Sequence, residues 1–189
     1  MRFCSSCGSS RLDFRIPDGD SLPRFVCGEC GEIHYQNPKV VVGCLPTCGD
    51  KVLMCLRAIE PRRGLWTLPA GFLENGESLS AGAARETLEE AGATVEVGEL
   101  YTVISLPQIH QVYMVFRAAL PCPEFAAGTE SLEVRLFDEQ EIPWDRIAFR
   151  TIARTLRNFF LDRKLGAFPT RVSVLERRQP VPPDLRGAG

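Results

Sequence analysis

The alternation of apolar and polar positions divides the chain into short strands and two helices. Val40–Leu45 is a dense β-branched run, which predicts a buried strand. Cys48-Gly49-Asp50 reads as a turn and Lys51–Leu56 as the returning strand. Thr94–Ile104 and Gln111–Leu120 read as two more strands, with Tyr113 and Phe116 as core candidates on the second. Glu130–Phe137 reads as a short acidic loop and a strand. Ile147–Leu165 has helical periodicity through Ile152, Leu156, Phe159 and Phe160. Cys44 and Cys55 fall inside strands and are read as small core residues.

The first helix belongs to the stretch GFLENGESLSAGAARETLEEAGA, Gly71 to Ala93. Ser78 can cap its start and Gly92 can end it. At about 100° per residue, Glu86, Glu89 and Glu90 share one arc. Ala81, Ala84, Leu88 and Ala91 fall on the opposite face, so a narrow small-residue stripe is expected to pack on the core. Like charges at this spacing repel by some tenths of a kcal/mol per pair. A solvated acidic face is the ordinary reading of such a helix. The other reading is a metal site, because Mg²⁺ takes oxygen ligands and also keeps waters and phosphate oxygens.

The 189 residues are 44% hydrophobic and 24% charged, which is a globular composition long enough for a main domain and a small module. No run approaches the roughly 18–20 apolar residues of a membrane span. A net charge of −2 gives no electrostatic pull toward nucleic acid or an anionic membrane. The opening MRFCSSCGSS lacks the apolar core of a signal peptide. Eight cysteines in that setting predict a cytoplasmic protein with reduced thiols, some of them binding metal.

Residues 1–36 read as a separate unit. Cys4-x2-Cys7 and Cys27-x2-Cys30 match the spacing of a Cys4 zinc site, and each pair runs into a glycine, Gly8 and Gly31. So short a segment has too little core to fold alone, and a structural zinc would supply the missing stability. Two disulfides, or four unrelated thiols, are the alternative. His34 is not needed as a ligand and reads as a structural residue. The unit holds four basic residues (Arg2, Arg11, Arg15, Arg24) against five acidic ones (Asp13, Asp18, Asp20, Glu29, Glu32), with no surplus for phosphate binding. Packing, or pairing two copies into a homodimer, is therefore favoured over nucleic-acid binding.

Pro38 marks the boundary to a domain over 37–165. Arg62 and Arg63 precede Gly64-Leu65-Trp66. They read either as a solvated pair or as substrate-binding contacts to a phosphate or ribose. Residues 166–189 are rich in Pro, Arg and Gly and read as a mobile tail.

The acidic stretch fits G-x5-E-x7-R-E-U-x-E-E-x-G-U, the box of the Nudix hydrolases, at Gly71, Glu77, Arg85, Glu86, Glu89, Glu90 and Gly92. Thr87 replaces the usual bulky aliphatic, and Ala93 is a small one. The chain is thus similar to that superfamily, which implies an α/β/α sandwich with a mixed sheet, here preceded by the zinc ribbon. YQNPKVVVGC, LWTLPAGFLENGES, ESLEVRLF and EIPWDRIAF resemble one zinc-bearing subgroup, that of the plant chloroplast pyrophosphatase acting on FAD and ADP-ribose. The other zinc-bearing branch acts on NADH and NAD caps and carries SQPWPFPxS after the box; here the sequence is SLPQIHQVYMVF. Pro107 resembles the proline found after the box in ADP-ribose pyrophosphatases.

The resemblance implies a Mg²⁺- or Mn²⁺-dependent pyrophosphatase that releases AMP from a small nucleotide substrate, FAD or ADP-ribose. NADH, NAD or an RNA cap is the alternative substrate, and a non-catalytic ligand sensor the alternative role. Glu86, Glu89 and Glu90 would hold the metal, with the Gly71 carbonyl and Glu133 as further ligands. Arg85 would orient a box carboxylate by ion pairing, with Glu77 in support. Glu89 and Glu130 are both candidates for the general base.

Overall fold

The computed structural model describes residues 1–121 and 124–176. The chain divides into two compact units, Met1–Pro38 and the part from Lys39 onward. The first unit is a three-stranded antiparallel sheet of β1 (Leu12–Arg15), β2 (Arg24–Cys27) and β3 (Ile33–His34), in that order. Its buried side chains are Cys4, Pro17, Val26, Cys27 and His34. That is too little apolar surface to offset chain entropy without a cross-link.

The second unit is built on an eight-stranded mixed sheet. Its strands are β4 (Lys39–Cys48), β5 (Lys51–Arg57), β6 (Trp66–Thr67), β7 (Ala70–Phe72), β8 (Glu96–Leu106), β9 (Gln111–Ala119), β10 (Ser131–Phe137) and β11 (Arg171–Val174). The spatial order is β10-β5-β4-β9-β8-β11, with β6 on β5 and β7 on β4. β4 runs parallel to β9 and β8 parallel to β11; the other pairings are antiparallel. Two helices, α1 (Leu79–Ala91) and α2 (Arg150–Leu165), cover opposite faces.

The strand period of two fixes this layering. Along β5, Val52 and Met54 join Ile152 and Leu156 of α2, while Leu53 and Cys55 join Ala91 of α1. On β4, Leu45 faces α2, and Val42 and Cys44 face Ala83 of α1. The α/β/α sandwich with a mixed sheet is therefore the fold that forms.

Three expectations need correction. The buried stripe of α1 is Gly82, Ala83, Thr87, Glu90 and Ala91, whereas Leu88 is 54% exposed and Ala81 is exposed. The helix is rolled about its axis so that its smallest residues meet β4. Thr87 is tolerated at full burial because its hydroxyl donates to the Ala83 carbonyl at 2.8 Å. Tyr113 is only half-buried and lines a cavity rather than the core.

The segment after Gly166 is the third case. Arg171–Val174 pairs with Thr102–Ser105, and Leu175 is buried. The Arg171 guanidinium forks onto the buried carboxylate of Asp162, which also accepts from the Tyr101 hydroxyl at 2.7 Å. This ion pair and an open sheet edge hold a stretch whose composition reads as loose. Residues 177–189 of the expected tail lie outside the described residues.

Candidate active site

Helix α1 starts where the Ser78 hydroxyl accepts from the Ala81 N–H at 3.2 Å. It ends at Gly92, whose φ is 57°. Arg85 organises the acidic residues around it. Its Nε and Nη2 lie 3.0 and 2.7 Å from the two carboxylate oxygens of Glu77. Its Nη1 donates to Glu86 at 2.8 Å and to Glu89 at 3.1 Å, and Nη2 also reaches the Phe72 carbonyl at 3.1 Å. One planar cation thus ties three carboxylates to the strand that precedes the helix. It also holds the Glu77 carboxyl well down, to about 2, with the Glu74 N–H helping.

Glu90 differs from its neighbours in being only 6% exposed. Burial pushes its carboxyl up to about 8. The Ala70 N–H, donating at 3.2 Å, pulls the other way, and the Glu86 charge adds to the rise. Burial also raises Glu86, opposed by Arg85. A carboxylate pair kept this dry and this close gains from a divalent cation.

Gly71 fits the same picture. A Cβ there would overlap the Glu86 carboxylate, so only glycine lets β7 lie against the acidic helix. These carboxylates offer oxygen donors, the kind a hard metal takes, but among the described residues no three of their oxygens gather within 4.8 Å of one another as the four cysteine sulfurs do.

Glu130 comes from a distant loop. That loop is seated on the end of α1 by Ala126 N–H to the Ala91 carbonyl, 2.9 Å, and Gly128 N–H to the Glu90 carbonyl, 3.1 Å. Glu130 lines one cavity of about 460 Å³ with Glu86, Glu89, Glu90, Arg85 and Gly71. Its charge contributes to the rise at both Glu86 and Glu90. Glu133 does not join them. It is exposed, on the strand face opposite Val134 and Leu136, which pack on the α1 side.

A second cavity of about 450 Å³ shares Arg57, Ala70, Gly71 and Phe72 with the first. Tyr113, Phe149, Ile109 and Thr151 also line it. Sequence reasoning missed Arg57, which stands at the junction with its guanidinium 5.2 Å from the Phe149 ring. Its signal was a cation closing the apolar run of β5. Arg62, in a left-handed conformation with φ 72°, reaches this cavity, and Arg63 does not. Pro107 opens a short 3-10 turn, Pro107–Ile109, of which Ile109 and not Pro107 lines the cavity.

In the first unit, the Sγ atoms of Cys4, Cys7, Cys27 and Cys30 all lie within 4.8 Å of one another. Cys4–Cys30 and Cys7–Cys27 are 3.7 and 3.6 Å apart, too far for disulfides. A zinc–sulfur bond of about 2.3 Å gives tetrahedral S···S edges of about 3.8 Å, so the cluster fits that ion. Both Cys-x2-Cys turns close alike, Gly8 N–H on the Cys4 carbonyl at 2.9 Å and Gly31 N–H on the Cys27 carbonyl at 3.0 Å. Both glycines have positive φ, 76° and 74°. Backbone N–H groups of Cys30 and Glu29 hold the Cys27 thiol down to about 7. His34 is buried outside the cluster.

The zinc-ribbon family described as Nudix N-terminal matches residues 2–36, and the NUDIX domain family matches residues 37–159. The NAD-capped RNA hydrolase NudC of Stutzerimonas stutzeri is 32% identical over 170 residues, covering 87% of this chain. The chain spans 58% of the length of that relative. An ADP-ribose pyrophosphatase of Methanocaldococcus jannaschii is 32% identical over 119 residues, 61% of this chain and 69% of that protein. The crystal structure of a NUDIX hydrolase from Nitrosomonas europaea superposes with a TM-score of 0.90 at 58% identity, over 94% of this chain and 100% of that one. Among the described residues, no helix is long and apolar enough to cross a membrane. Matched by the NUDIX domain family across its larger unit and by the Nudix N-terminal zinc-ribbon family before it, the chain belongs to the Nudix hydrolases.

Proposed function

We propose that the protein hydrolyses the diphosphate link of ADP-containing dinucleotide-type substrates, ADP-ribose and FAD, and releases AMP. The supporting observation is the shared wall of Arg57, Ala70, Gly71 and Phe72. It joins a carboxylate cavity to an aromatic one of nucleoside size. Glu86, Glu89 and Glu90 would hold Mg²⁺ or Mn²⁺, with the Gly71 carbonyl, and the metal would supply charge neutralisation at the phosphate oxygens. Arg85 and Glu77 keep the carboxylates in register. Arg57 balances charge where the nucleotide enters. Glu130, which no ion pair engages among the described residues, takes the proton of the attacking water as its oxygen bonds to phosphorus. The bridging P–O bond breaks in line, leaving AMP and ribose 5-phosphate, or AMP and FMN. In the cytoplasm the four thiolates of Cys4, Cys7, Cys27 and Cys30 hold a structural Zn²⁺.

A second reading is an NAD-type pyrophosphatase acting on NAD, NADH or NAD-capped RNA. It is supported by the similarity to NudC over 170 residues. Against it, the SQPWPFPxS segment is absent after the box. Both readings share the ADP half; NAD and NADH also release AMP, whereas NAD-capped RNA keeps the adenosine 5′-phosphate as its own 5′ end. The test is a turnover screen with Mg²⁺ over ADP-ribose, FAD, NAD, NADH, NAD-capped RNA and nucleoside triphosphates, scored by kcat/KM. A clear preference for ADP-ribose or FAD supports the first reading, and for the NAD group the second. A preference for nucleoside triphosphates contradicts both.

A further inference from the structure

The solvent face of α2 carries Arg150, Arg154 and Arg157, spaced i, i+4 and i+7. At about 100° per residue they fall within an arc of about 60°, opposite Ile152, Leu156 and Phe159. As a helix surface this is unfavourable in three ways. Like charges at this spacing repel. Cations near a helix N-terminus oppose its dipole. The helix also begins at Phe149 with no side-chain cap and no acid in its first turn. The ion pairs of α2 among the described residues run through Asp162, Arg163 and Lys164 at its other end.

The three arginines, with Arg62 and Asn158, line a third cavity of about 810 Å³, and no acidic residue among the described ones borders it. Trp144 forms one side, with the Arg157 guanidinium 5.3 Å from its ring. Arg150 also donates to the Glu176 carbonyl at 2.9 Å. This cavity shares Arg62, Phe149 and Arg150 with the aromatic cavity. The three sites therefore follow one another: carboxylates, aromatic slot, arginines. An anion in the last would relieve the repulsion, satisfy the uncapped helix start and accept forked guanidinium bonds.

We propose that the arginine cavity is a subsite for a further phosphate carried on the ribose of the nucleoside in the aromatic cavity. The proposal rests on the reading of that cavity as the nucleoside site. The same chemistry has two sources, a 2′- or 3′-phosphomonoester or the phosphodiester that begins an RNA chain.

The test is a calorimetric titration of the metal-free full-length protein at low salt, with no turnover involved. The probes are AMP, adenosine 2′,5′-bisphosphate, adenosine 3′,5′-bisphosphate and the dinucleotide pApG. The second protein is the variant Arg154→Gln/Arg157→Gln, which loses like-charge repulsion and keeps its melting temperature. The expected result is that at least one ribose-phosphorylated probe binds the native protein about tenfold more tightly than AMP. In the double variant that gain falls to about twofold or less, while AMP binds as before. A gain confined to the bisphosphates assigns the monoester source, and a gain for pApG the diester. Equal affinity for all probes, a gain that survives in the variant, or no binding of any probe overturns the proposal. Failure of the ADP-ribose and FAD turnover with the phosphate preference intact would remove the substrate reading and leave the subsite.

Discussion

Arg85 holds Glu77 by a two-point fork, Nε 3.0 Å from one carboxylate oxygen and Nη2 2.7 Å from the other. The remaining nitrogen is thereby aimed at Glu86 and Glu89. A lysine keeps the charge and loses the fork. Arg85→Lys is expected to lower Mg²⁺ affinity or turnover by about 10- to 100-fold, the usual cost of losing a residue that orients metal ligands. Mg²⁺ titrations of kcat and KM check this; unchanged values would show that the fork does not organise the site.

Glu90 sets a pH dependence with a definite sign. Its carboxyl sits at about 8 in the folded protein against a reference of 4.5. Between those values the folded state holds the proton more tightly than the unfolded chain. Stability of the metal-free protein is therefore highest below about 4.5 as far as this group is concerned, and declines as pH rises toward 8. Mg²⁺ competes with that proton, so its stabilising effect grows over the same interval. Thermal melts with and without Mg²⁺ from pH 5 to 9 measure both trends. Glu90→Gln should flatten the decline and raise the melting temperature of the metal-free protein at the alkaline end.

The sulfur cluster predicts bound zinc in protein purified under reducing conditions, measurable by elemental analysis. Cys7→Ser removes one of four thiolates and should cost zinc and the order of residues 1–38, read by protease sensitivity of that unit. Metal-free protein from a reducing preparation would contradict the assignment.

Arg171 is the partner of a carboxylate that is 1% exposed. Arg171→Leu leaves Asp162, among the described residues, with the Tyr101 hydroxyl as its remaining side-chain partner, and is expected to lower stability by more than an ordinary surface change. Denaturant unfolding checks this. A loss below about 0.5 kcal/mol, the level of an ordinary surface change, would mean that β11 does not form part of the folded unit.

The sandwich was legible because its signals are local: β-branched runs for β4 and β5, a capped helix at Ser78 and Gly92, apolar periodicity through Ile152 and Phe160. What was not legible depended on contacts far apart in the chain. The roll of α1 is set by how closely Gly82 and Ala83 approach β4, and a helical wheel cannot supply that. β11 is held by a pair from different elements, Arg171 and Asp162, and its short Arg-Val-Ser-Val alternation is outweighed on paper by the Pro-, Arg- and Gly-rich composition around it. In the site, Glu130 and Glu133 are three residues apart and similar on paper. Backbone bonds seat the loop before Glu130 on α1, whereas the alternation of β10 turns Glu133 away from the α1 side. Tyr113 lay in a segment read as a strand, where a cavity-lining residue and a core residue share one pattern, and Arg57 lay one residue past the strand read at Lys51–Leu56.

The central claim is that Glu86, Glu89 and Glu90 hold the metal on which diphosphate hydrolysis depends. Glu90→Gln tests it most directly, because it keeps the side chain's shape and its place against Ala70 while removing the charge. The measurement is AMP formation from ADP-ribose by the native protein and by the variant, side by side at saturating Mg²⁺. The account predicts AMP and ribose 5-phosphate from the native protein, and turnover by the variant lower by orders of magnitude with its fold retained. Near-native turnover by Glu90→Gln would contradict it.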